Sequence, residues 1–194
     1  MCVSNLVEAG DATPERAGAR RALALAIGAS LLVAPAGHAL AEDAVKEARE
    51  TIAVFEKADP DLRKFFAGSA GYAVFPTVGK GAIGIGGAGG SGVVFEGGKA
   101  IGKASLVQVT IGFQLGGQAY SEVVFFENAA ALTDFKKGTF ALAAQVSAVA
   151  AAAGASANAK YQNGVAVFTV AKGGLMYEAS VGGQKFGFEP FGKK

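Results

Sequence analysis

Between Gly71 and Glu127 the chain reads GYAVFPTVGKGAIGIGGAGGSGVVFEGGKAIGKASLVQVTIGFQLGGQAYSEVVFFE, short apolar runs separated by single or paired glycines. Apolar runs of this length with alternating partners form strands, and glycine pairs between them supply turns or bulges. The stretch therefore commits the middle of the chain to twisted β-structure. It brings backbone and lysines to a surface and offers almost no acid, base or nucleophile. It points to binding and away from reaction chemistry.

The 194-residue length suits one domain after a leader. Arg16, Arg20 and Arg21 precede an apolar run from Ala22 to Ala36, and Ala39-Leu40-Ala41 forms an A-x-A site before Glu42. That order is the layout of a secretory signal peptide, so residues 1–41 are expected to be removed. The apolar run is shorter than the ~20 residues a membrane span needs. The Arg20-Arg21 pair leaves the export route open between the general and twin-arginine systems. The processed chain, 42–194, is expected to be exported, periplasmic or secreted, and peripheral on a membrane.

Cleavage removes the chain's one Cys (Cys2) and one His (His38), and there is no Trp. Zinc, copper and haem sites built on His or Cys are then excluded, as are Ser-His-Asp and Cys-His nucleophiles. No cofactor and no catalytic residue is expected. Charge is uneven: residues 42–61 carry seven acids and three bases, residues 62–194 twelve bases and six acids. A mildly basic body attracts anionic surfaces over long range.

Val45, Ala48, Ile52 and Phe55 recur at helical spacing and predict an amphipathic helix over 44–58. Asp59-Pro60 ends it and caps a second short helix that Gly68 stops. Strands follow at 72–75, ended by Pro76, at 82–86 and at 92–96, with Gly86-Gly87 and Gly89-Gly90 as turns or bulges. Val107, Val109, Ile111, Phe113 and Leu115 alternate with Gln108, Thr110, Gly112 and Gln114, a clear strand with the apolar set inward. Gly116-Gly117 either turns it into 118–126 as a hairpin or makes a bulge in one long strand. Asn128 caps a helix over 129–136 that Gly138 stops. Thr139 to Ala153 reads as helix by its alanines and as strand by its alternation. Asn163-Gly164 turns into a strand at 165–171, and glycine pairs lead into 175–181 and 184–188, an antiparallel meander.

Two nucleotide motifs fail on context. Gly84 to Gly89 fits GxGxxG, but a β-like run follows where that fold needs a helix. Gly97 to Ala104 resembles a P-loop whose magnesium-binding hydroxyl is replaced by Ala104, and again a strand follows. The acids of the body show no paired spacing of the glycosidase kind. Lys80, Lys99 and Lys103 lie in or beside glycine-rich turns, and Lys136 and Lys137 end the short helix. Gathered on one side, they would hold phosphate headgroups, with glycine amides as further anion contacts.

Ala70 to Val94, AGYAVFPTVGKGAIGIGGAGGSGVV, resembles the opening of the SYLF domain. Ile111 to Phe135 resembles its middle, and Thr139 to Gly154 and Lys172 to Phe186 its end. The resemblance runs in order through nearly the whole processed chain. It implies a non-enzymatic, lipid-binding domain, and it favours strand over helix for 139–150. Eukaryotic members bind phosphoinositides, and yeast ones also bind actin. Those members carry basic residues in an N-terminal amphipathic region, which is acidic here, so the lysines of the body take that role.

The fold expected is α+β: a curved antiparallel sheet or partly closed barrel of about seven to nine strands, covered by N-terminal amphipathic helices. Its core is expected from Val45, Ile52, Phe55, Leu62, Phe65, Val74, Phe75, Val109, Ile111, Phe113, Val124, Phe126, Phe135, Val167, Val170 and Met176. The expected function is binding of anionic phospholipid headgroups in the cell envelope. The residues are Lys80, Lys99, Lys103, Lys136 and Lys137; neither nucleic acid nor actin is an expected partner. The alternatives are an envelope scaffold with a protein partner and a small outer-membrane barrel.

Overall fold

The computed structural model describes residues 36–80, 87–109, 119–138, 140–142, 148–172 and 183–192. The chain divides into Met1–Val33 and Ala34–Lys194, and the description concerns the second unit. Expected features at 82–86, 110–118 and 175–181 lie outside the described residues.

Helix α1 (Ala36–Ala58) starts earlier than its apolar stripe required, because alanines carry the helix back through Ala39-Leu40-Ala41. It therefore begins upstream of the expected cleavage position. Asp59 ends it and caps the 3-10 turn Pro60–Leu62 by accepting the Asp61 amide. That turn runs into α2 (Arg63–Gly68).

Among the described residues seven strands follow: β1 (Gly71–Lys80), β2 (Gly87–Glu96), β3 (Lys99–Val109), β4 (Tyr120–Phe126), β5 (Val149–Ala150), β6 (Val165–Ala171) and β7 (Gln184–Pro190). Helix α3 (Ala129–Lys136) follows β4, and Asn128 Oδ1 accepts the Ala131 amide at its start. The strand order is β5-β6-β4-β1-β2-β3-β7. All neighbours are antiparallel except β5 and β6, so the sheet is mixed.

Four local expectations change. Pro76 does not end β1; the strand continues through a bulge between Phe75 and Val78, where proline's missing N–H breaks no ladder bond. The Pro76 carbonyl, freed from the ladder at the bulge, is buried and accepts the Ser121 hydroxyl at 2.8 Å. Gly89 and Gly90 pair inside β2 and make no turn. At the described end of the expected strand 107–115, Gln108 is buried and Val107 is 38 % exposed, opposite to the side that an inward apolar set would take. Ala104 and Leu106 set the inward register, and Gln108 follows them by alternation.

The fourth change concerns connections. β3 pairs with β2 and β7, whereas β4 pairs with β1 and β6, so the two do not form a hairpin. β6 and β7 stand far apart in the strand order, and the expected meander between them runs through 175–181, outside the described residues. Residues 140–142 reach β7, with Phe140 accepting the Phe186 amide, and 149–150 lie beside β6. No described part of 139–153 is α-helical.

The sheet is strongly curled and not closed. β7 lies four places from β4, about 19 Å on a flat sheet. Yet Gln184 Nε2 of β7 donates to Glu122 Oε2 of β4 at 2.9 Å, and Phe186 lies 5.6 Å from Phe75 of β1. The concave side holds Phe75, Leu106, Val124, Phe126 and Phe186, closed by Leu132 and Phe135 of α3. The convex side holds Tyr72, Val74, Phe95, Phe125 and Phe168 under Ala48, Phe55 and Leu62. Both faces are thus buried against other parts of the chain. That is an α+β arrangement, and it is not the lipid-facing outer wall of a membrane barrel. Among the described residues no helix is long and apolar enough to cross a membrane.

Of the expected core, Phe55, Leu62, Val74, Phe75, Val124, Phe126, Phe135 and Val167 are buried. Val45, Ile52, Phe65 and Val170 are partly buried against the convex cluster. The side chains of Val109, Ile111, Phe113 and Met176 lie outside the described residues.

Candidate anion-binding surface

The β2–β3 hairpin turns on two residues, Gly97 (φ 56°) and Gly98 (φ 74°). Positive φ at both central positions is the twist-matched two-residue turn, which glycine adopts without a Cβ clash. This turn sets Glu96 and Lys99 directly opposite each other. α3 lies on the concave side, and Lys136 from its last turn reaches Glu96, Nζ to Oε2 at 2.6 Å. Lys137 follows and pairs with Asp134 at 2.6 Å.

A fourth cation arrives from the convex side. Arg49 of α1 lies over the Phe95 ring, 5.5 Å from its centroid, and its Nη2 donates to the Gly98 carbonyl at 3.5 Å. The sequence reading passed over Arg49 because it treated α1 as an acidic face. Only the crossing of α1 over β2 brings Arg49 to the hairpin, and no local pattern announces that.

Arg49, Lys99 and Lys136 therefore surround one exposed turn, with Lys137 on the adjoining end of α3. The surface pairs of Lys136 and Lys137 are worth about 0–1 kcal/mol each, so a competing anion can take either lysine. Beside the turn lies a groove of about 520 Å³, lined by Val45, Ala100 and Phe191 together with Lys46, Arg49, Glu42 and Glu50. Its exposed lining is mostly apolar, and its two cations are matched by two acids.

The five lysines expected from sequence do not share one face. Lys99, Lys136 and Lys137 belong to the hairpin end of the molecule. Lys103 pairs in register with Val93, a convex-side residue, and so points to the opposite side of the sheet from Lys136. It lines a second groove of about 520 Å³ with Glu47 and Glu189. Lys80 ends β1, and its side chain lies outside the described residues. Among the described residues no three His, Cys, Asp or Glu side chains gather as metal ligands.

Elsewhere the concave side contains a buried polar cluster that sequence did not single out. Gln108, Tyr120, Glu122, Thr169 and Gln184 are all buried. Tyr120 donates its hydroxyl to Gln108 Oε1 at 3.3 Å, and Gln184 Nε2 donates to the Tyr120 oxygen at 3.3 Å. Residue type alone does not separate Glu122 from the surface acids of the body. The visible signal was its place in the apolar run Tyr120 to Phe126, where every residue proves to be buried.

Comparison with known proteins adds two findings. Residues 107–189 match the family described as Las17-binding protein actin regulator, Ysc84. A 72-residue stretch is 31% identical to Beta cell expansion factor A of Aeromonas veronii, covering 37% of this chain and 28% of that protein. The chain thus spans well under a third of that relative's length.

Proposed function

We propose, from the chain's membership of the SYLF family through residues 107–189, that it is a non-enzymatic module that docks on anionic phospholipid surfaces. The observation that carries this reading is the meeting of Arg49, Lys99 and Lys136 at the Gly97-Gly98 turn, next to an apolar groove. Cations at a turn suit headgroup phosphates, and the groove suits the apolar part of the same amphiphile. Lys137 adds charge on the same side. Lys103, on the other side of the sheet, is left as a secondary contact.

The setting that goes with this reading is the cell envelope, reached after cleavage behind Ala41. The family's description names a protein partner, Las17, and actin regulation. An exported chain would not meet either, so a protein-docking role here would need an envelope partner.

Vesicle co-sedimentation of residues 42–194 tests the proposal. Retention should rise with the anionic lipid fraction and fall with salt. Each basic residue near such a surface contributes about 1 kcal/mol. Lys99→Ala with Lys136→Ala should therefore weaken binding about thirtyfold. Equal retention on neutral vesicles at high salt would overturn the electrostatic reading. Capture of one envelope protein without lipid preference would favour the docking role.

A further inference from the structure

Glu122 has no solvent exposure, and neither has Gln184. Their side chains meet from strands four places apart, across the concave side of the curled sheet. One bond is in place, Gln184 Nε2 to Glu122 Oε2 at 2.9 Å. The other oxygen of each group, Glu122 Oε1 and Gln184 Oε1, is buried without a hydrogen-bond partner. Two bare acceptors on a bonded acid–amide pair call for one proton. A hydroxyl on Glu122 Oε1 would donate to Gln184 Oε1 and complete a two-bond pair, whereas a carboxylate would leave both oxygens bare.

Among the described residues no cation faces Glu122 to hold a negative charge. β1 places Phe75 opposite Glu122; its Lys80 lies two residues beyond Val78, the partner of Tyr120, toward the strand end. β6 places Thr169 opposite, with an unpartnered hydroxyl. Lys172, just past β6, is bonded to Thr77 at the surface. β3 contributes Gln108; its Lys103 faces the other side and Lys99 sits at the far end. Lys185 and Glu189 of β7 alternate away from Gln184 and are exposed. α3 turns Lys136 to Glu96, and residues 140–142 carry no charge. The titratable neighbour is Tyr120, whose phenol is itself pushed up by burial and by Glu122. Burial likewise raises Glu122 from the ordinary carboxylate range to about 8, with the Gln184 bond acting in the opposite direction.

We infer that Glu122 and Gln184 form a proton-operated latch: the protonated acid joins β4 to β7 across the concave side, and its ionisation releases that join. Release costs the sheet the shorter of the two polar ties that Gln184 makes to β4, to Glu122 at 2.9 Å and to Tyr120 at 3.3 Å. Water can then reach Tyr120, Gln108 and Thr169, which are already polar. The latch is independent of the lipid reading and of the hairpin cations, which sit at the other end of the strands.

Two measurements on the full chain decide it. Carbon-13 NMR of glutamate-labelled protein should show one carboxyl, assigned to Glu122 by its absence in Glu122→Gln, titrating between pH 7 and 9. A midpoint below 5 overturns the latch. Amide exchange at 120–123 and 184–186, corrected for intrinsic rates, should lose protection, by up to about tenfold per pH unit, as pH rises from the ordinary carboxylate range to the Glu122 midpoint, and should level off above it. Glu122→Gln cannot ionise, so its protection should stay level to pH 9. The same pH response in both proteins, or none in the wild type, overturns the inference. If Glu122→Gln fails to fold, the wild-type carboxyl midpoint still decides, with assignment through the β4 backbone.

Discussion

Asp59 accepts the amides of Asp61 at 3.2 Å, Gly154 at 3.3 Å and Ser156 at 2.7 Å. One carboxylate therefore caps the 3-10 turn and also anchors a loop 95 residues away. Desolvation pushes its pKa up, but the Ser156, Asp61 and Gly154 hydrogen bonds outweigh it and the net direction is down. A lowered folded value means that the stability it adds is present above the unfolded value and is lost as pH falls through the folded one. Asp59→Ala should cost about 1–3 kcal/mol at neutral pH in urea unfolding. The difference from wild type should shrink below about pH 4; a constant difference down to pH 2 would refute the assignment. The Asp-Pro signal made the cap legible. The anchor to Gly154 and Ser156 was not, because it depends on where a distant loop returns. Glu122 is the opposite case: its environment comes entirely from partners on β1, β6 and β7.

At the scale of elements, local signals worked where the element closes on itself. Asn128 and Gly138 bound α3 where expected. Asn163 and Gly164, at φ 53° and 79°, turn the chain into β6 over the expected residues. Signals failed where pairing sets the answer. β3 alternates as read, but its neighbours choose which set faces inward. β1 survives Pro76 because the bulge asks for no donor there. The curl also leaves its mark on β2: a Cβ on Gly92 would run into the Val74 carbonyl and meet the Phe75 ring at 2.7 Å. Backbone on one side and a buried ring on the other leave little room to relax. Gly92→Ala should destabilise by about 1–3 kcal/mol, whereas Gly68→Ala, with nothing within 4 Å, should not. Equal thermal stability of the two variants would contradict the tight β1–β2 packing.

For the molecule as a whole, two cores share one sheet. The convex core depends on α1, whose Phe55 is fully buried against it. Phe55→Ala should cost about 3–5 kcal/mol and expose the Phe65, Phe125 and Phe168 cluster to hydrophobic dye. Full stability with no added dye binding would show α1 to be dispensable. The same docking carries Arg49 to the hairpin, so vesicle binding and the packing of α1 should weaken together in this variant. By itself the sequence determined the β-rich class, the helix caps, the tight turns and the lack of His and Cys over residues 42–194. Those follow from residue type and short-range geometry. Tertiary structure alone decided the strand order, the curl, the inward side of β3, the separation of Lys103 from Lys136, and the burial of Glu122. Each depends on residues far apart in the chain, whose meeting is set by sheet pairing and the exclusion of water from both faces. The glycine-rich stretch announced strands and turns, but only the pairing of those strands determined which of its lysines stand together.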